Sequence, residues 1–99
     1  MIHSTDNSFK LKPEEWKELA DGVNQVYPDF TARLLELAKI SETELQVCLL
    51  LKVGTPLVGI ANMLNKTRAA ITMLRKRLYK KITNKQGVGE QLDEFISNF

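Results

Sequence analysis

Apolar residues along this chain recur at intervals of three and four, and no stretch keeps the alternation of a half-buried strand. The pattern predicts an all-α fold. The first ten residues carry no periodicity and read as a disordered tail, which leaves a single helical domain over residues 11–99. A first helix is expected from about Pro13 to Gln25. Pro13 fits its first turn, Glu14 and Glu15 suit the positive end of its dipole, and Trp16, Leu19, Ala20 and Val23 share one face. Tyr27-Pro28 ends it, and Asp29 can cap a second helix carrying the stripe Phe30, Leu34, Leu37 and Ala38.

Ser41 and Glu44 have the S-x-x-E spacing of a capping box, followed by Leu45, Cys48, Leu49 and Lys52 at helical intervals and by Gly54 as the left-handed stop. Thr55-Pro56 opens a short helix with Leu57, Ile60, Ala61 and Leu64 on one face. Asn65 can make a sharp turn, and Thr67 can cap a long helix reaching about Ile82. Lys85-Gln-Gly-Val-Gly89 reads as a loop, and Glu90 to Asn98 as a short final helix. The expectation is an all-α domain of four to five helices, with a helix-turn-helix core at about residues 41–82.

With the helices placed, the charges acquire a direction. Between Lys66 and Lys85 lie eight Lys and Arg and no acid, while the other six cations share the rest of the chain with all 12 acids. The net charge of +2 hides this partition, which suits an anionic partner on the long helix. Taking Ile71 as zero and advancing 100° per residue, Leu74, Leu78 and Ile82 fall on a core face. Ala69, Thr72, Met73, Lys76, Arg77 and Lys80 fall near the opposite side, with Arg68, Arg75 and Tyr79 along one flank. Small side chains at the start of a helix and cations further along fit insertion into the DNA major groove.

From Ile40 to Ile82 the chain resembles the LuxR/GerE-type helix-turn-helix domain of bacterial transcription regulators. The features that carry the likeness are Ser41, Glu44, Val47, Leu51, Gly54, the Ile60-Ala61 pair, Leu64, Thr67, Ile71 and Lys81-Ile82. Trp16, the run Tyr27-Pro28-Asp29-Phe30, the basic run from Arg75 to Lys81 and the segment from Leu92 to Ile96 are similar to a version found in Bacteroidetes regulators. Asn65 stands where the family often has Gly, and Gly59 where it usually has a polar residue. The resemblance implies sequence-specific binding of double-stranded DNA and transcription regulation. It implies base contacts by Thr72, Met73 and Lys76, and phosphate contacts by Thr67, Arg68, Arg75 and Lys80. It also implies that a sensor region often precedes such a module.

Other classes find less support. A chain of 99 residues leaves little room for a deep substrate cavity. Cys48 has no plausible histidine partner, Ser41 is committed to its cap, and Gly87-Val-Gly89 lacks the third glycine of a phosphate loop, so no enzyme activity is expected. One Cys and one His, His3, exclude an internal disulfide and a His-rich metal centre, and no cofactor is expected. The longest apolar run, Val47 to Leu51, is far too short for a membrane span, and the start MIHSTDNS is unlike a signal peptide. The chain therefore reads as cytoplasmic, with no membrane contact by this segment.

Cys48 reads as a buried inert thiol, Trp16 as core and Tyr79 as a packing residue, while Met73 suits either a thymine methyl or a neighbouring helix. Leu92, Phe95, Ile96 and Phe99 form an apolar stripe that must be covered, either by a second copy in a homodimer or by Trp16 and the first helix. Two alternatives to the regulator reading are a helical protein-interaction module docking an acidic partner on its basic helix, and a sigma-factor-like promoter-recognition domain.

Overall fold

The computed structural model describes residues 11–99; the expected tail, with His3, lies outside the described residues. The order is α1 (Pro13–Val26), α2 (Phe30–Leu37), α3 (Glu42–Lys52), α4 (Leu57–Met63), α5 (Arg68–Thr83) and α6 (Gly89–Asn98). The fold is all-α, with six helices where four to five were expected and no strand among the described residues. Among the described residues no helix is long and apolar enough to cross a membrane.

Local chemistry sets most of the boundaries. The Ser41 Oγ accepts from the Glu44 amide at 3.2 Å while the Ser41 amide donates to the Glu44 carboxylate at 2.8 Å, closing the capping box at the start of α3. Gly54, at φ 83°, ends that helix in the left-handed region. Asp29 departs from its expected role: it stands at the N-cap of α2 in the left-handed region and makes no side-chain cap. Asn24 instead ties α1 to α2, its Oδ1 accepting from the Thr31 amide at 2.8 Å and its Nδ2 donating to the Thr31 Oγ1 at 2.9 Å.

Every helix contributes to one core. Val23, Phe30, Leu34, Val47, Cys48, Ile60, Ile71, Leu78, Leu92 and Ile96 are all buried within it, and Trp16 packs against it half-buried. Leu37, on the expected stripe of α2, faces outward and is 43% exposed. Burial pushes the Cys48 thiol up to about 12, with the Glu44 charge adding to the shift, so the thiolate needed for nucleophilic or redox chemistry does not form near neutrality.

Most of the apolar stripe of α6 packs within its own chain. Leu92 and Ile96 have no exposed surface, and α6 packs chiefly on α5 and α3 rather than on α1. Phe99 meets the Phe30 ring edge-on at 5.8 Å and stacks on Phe95 at 5.6 Å. Two cations hold the end of this helix. Lys52 donates to the carbonyls of Ile96 at 3.2 Å and Ser97 at 3.0 Å, where the negative end of the helix dipole favours it. Arg33 lies 4.6 Å over the Phe99 ring and donates to the Phe99 carbonyl.

Candidate nucleic-acid interface

The basic segment begins at a turn whose geometry its own residues dictate. After α4 the chain reverses through Asn65 at φ 55°, and the Lys66 amide donates back to the Ala61 carbonyl at 2.9 Å. Thr67 then caps α5, its Oγ1 accepting from the Ala70 amide at 3.0 Å. Because this hydroxyl is engaged at the cap, the exposed first turn of α5 presents small side chains, Ala69 and Ala70, between Arg68 and Met73. Ile71, Leu74 and Leu78 turn inward, anchoring the helix and fixing its rotation.

That rotation sorts the expected contact residues. Thr67, Arg68, Met73, Lys76 and Lys80 are exposed, Met73 at 53%, and Thr72 is half-buried. Arg77, which the family likeness did not single out, is exposed beside them. Met73, Lys76, Arg77 and Lys80 stand at intervals of three and four and therefore form one stripe. Together with Gln86 from the following loop they line a shallow concavity of about 190 Å³.

Arg75 is the exception, and its expected phosphate contact does not fit its place in the fold. It is only 4% exposed. Its Nε donates to Asp93 Oδ1 at 3.0 Å and its Nη2 to Asp93 Oδ2 at 2.8 Å, a two-point pair joining α5 to α6. The guanidinium thus ties two helices together and is not presented to a ligand. The helical wheel held the signal for this: Arg75 falls about 40° from Ile71, closer to the core axis than to the exposed face.

Lys81 is also engaged within the fold. Its ammonium donates to both Glu44 carboxylate oxygens, at 2.8 and 3.0 Å, and to the Lys39 carbonyl at 3.0 Å, locking the end of α5 to the start of α3. Partial burial pushes the Glu44 carboxyl up, but the Lys81 hydrogen bond and charge, together with the Ser41 bonds, outweigh it and hold Glu44 below its ordinary value. Of the eight cations between Lys66 and Lys85, the six others have no ion-pair partner among the described residues: Lys66, Arg68, Lys76, Arg77, Lys80 and Lys85.

The chain matches no family model, characterised protein or solved structure.

The two glycines after α5 are explained by close approach. A Cβ on Gly87 would fall 2.6 Å from Tyr79 Cε2, and one on Gly89 would fall 2.7 Å from Arg75 Cζ. The first fixes the loop against α5. The second lets the Arg75 guanidinium lie across the first turn of α6. Arg75 is the far end of a flexible side chain, yet burial and the Asp93 pair prevent it from swinging aside at little cost. Gly89→Ala is therefore expected to destabilise the fold by about 1–3 kcal/mol, as overpacked sites do. Urea unfolding monitored by circular dichroism would measure it, and a midpoint equal to that of the unsubstituted protein would contradict this packing.

Proposed function

We propose that this chain binds double-stranded DNA sequence-specifically and regulates transcription, with α4 and α5 as a helix-turn-helix and α5 as its recognition helix. The observation that carries this reading is the stripe of Lys76, Arg77 and Lys80, exposed and without ion-pair partners among the described residues, on a helix whose first turn exposes small residues. The resemblance of Ile40 to Ile82 to LuxR/GerE-type domains supports the same conclusion. In this reading Thr72, Met73 and Lys76 meet base edges in the major groove, and Thr67, Arg68 and Lys80 meet the phosphates that set position. The α5 helix, 16 residues and about 24 Å long, is long enough to cross the groove and reach both of its walls. The same cations could instead hold an acidic protein surface, which would bind no duplex.

Titration with duplex DNA at several salt concentrations separates the two. Lys80→Ala should weaken selected and random duplexes alike and lower the slope of log affinity against log salt by about 0.9, because one fewer counterion-releasing contact remains. Lys76→Ala should change the motif recovered from a random duplex library, since a direct base contact contributes about 1–3 kcal/mol of discrimination. An unchanged motif would make Lys76 a phosphate contact. Absence of salt-dependent duplex binding by the unsubstituted chain would overturn the reading.

A further inference from the structure

We propose that Gln86, in the loop joining α5 to α6, is a second-element DNA contact that holds a backbone phosphate by its neutral side-chain amide. The inference rests on the DNA-binding reading above and adds an element outside the helix-turn-helix.

Gln86 is exposed and lines the same concavity of about 190 Å³ as Met73, Lys76, Arg77 and Lys80. A loop residue usually reaches a ligand only at the expense of ordering itself, but the residues on both sides of Gln86 are already fixed. Asn84 turns the chain at φ 60°, its amide donating to the Lys80 carbonyl at 2.7 Å, and the Lys85 amide donates to the Thr83 Oγ1 at 3.2 Å. On the other side Gly87 is seated against the Tyr79 ring, and the Val88 amide donates to the Gln91 Oε1 at 2.8 Å. These contacts fold the loop back along α5 and set Gln86 beside the cation stripe with little ordering left to do on binding.

The chemistry of the concavity selects the ligand. Three cations converge on it and no carboxylate among the described residues lines it, so it suits an anion. Gln86 contributes an NH₂ donor without charge, which can bond a phosphate oxygen in a field the lysines and Arg77 supply. Because Gln86 lies beyond the end of α5, it stands where a helix crossing the groove leaves the base edges and meets the phosphate wall. A phosphate contact carries no sequence information, so Gln86 should set register and affinity while leaving the motif unchanged.

Neutrality gives the proposal a distinctive test. The affinity of Gln86→Ala and of Gln86→Lys would be measured on a selected duplex and on a random-sequence duplex, across a salt series, with circular dichroism confirming the fold. Gln86→Ala is expected to weaken both duplexes by the same factor, about three- to tenfold, with the salt slope unchanged, since an amide displaces no counterion. Gln86→Lys should restore or exceed the original affinity and raise the slope by about 0.9. If Gln86→Ala binds both duplexes as tightly as the unsubstituted chain, or loses affinity for the selected duplex alone, the phosphate role of Gln86 is overturned while the DNA-binding reading stands. If the unsubstituted chain binds neither duplex, both fall together.

Discussion

Ile96→Asp is expected to leave the chain unfolded at 25 °C. Ile96 has no exposed surface and belongs to a core shared by all six helices. Substitution removes about 2–3 kcal/mol of apolar burial and adds a carboxylate with no place in an apolar environment, an expense of several kcal/mol more. Their sum reaches the whole stability of an ordinary small domain, which starts at about 5 kcal/mol. The measurement is far-UV circular dichroism with sedimentation on the purified variant. A helical, folded monomer would show that the α6 stripe lies on a surface, as a homodimer interface requires.

The Arg75–Asp93 pair should respond unequally to loss of its two partners. Arg75 is almost wholly buried, whereas the Asp93 side chain is 40% exposed. Asp93→Ala strands a buried guanidinium without its carboxylate and should destabilise the fold by about 3–5 kcal/mol. Arg75→Met leaves the carboxylate at a position water reaches and keeps much of the stem's packing, so a smaller loss of about 1–2 kcal/mol is expected. Denaturant midpoints of the two variants decide the matter, and a larger loss for Arg75→Met would refute the assignment of the buried partner. On the same grounds the DNA salt slope of folded Arg75→Met should match that of the unsubstituted chain, while Lys80→Ala lowers it.

What could be read from the sequence was what short-range chemistry determines. The Ser41 capping box, the Thr67 cap, the Gly54 stop and the left-handed turn at Asn65 each depend on groups within a few residues of one another, and each stands in the structure where the pattern put it. The apolar stripes of α5 and α6 were legible for the same reason. Partners across the fold were not. Arg75 reaches an acid 18 positions away on a different helix, and Lys81 reaches one 37 positions back. Helical phase placed Arg75 near the core, but nothing local names the distant acid that either cation reaches. The coverage of α6 by α3 and α5 was hidden likewise, because an apolar stripe states that it needs a partner without stating which. Gln86 had no periodic signal at all, and the turn at Asn84, the hydrogen bonds of the Lys85 and Val88 amides and the seating of Gly87 are what hold its loop.

The attachments of α6 bear on how the molecule opens. Its side chains and carbonyls are held by Arg75, Lys52 and Arg33, across 18, 44 and 66 positions of sequence respectively, from three different helices. Helices as short as these are marginal in water by themselves, so α6 has almost no stability of its own apart from these attachments. Detaching it removes the Phe99 ring from Phe30 and deprives Arg75 of its counter-charge in a single event. Partial unfolding that begins at α6 therefore does not stop there, and the bundle opens as one cooperative unit in which the loop holding Gln86 shares the stability of the core.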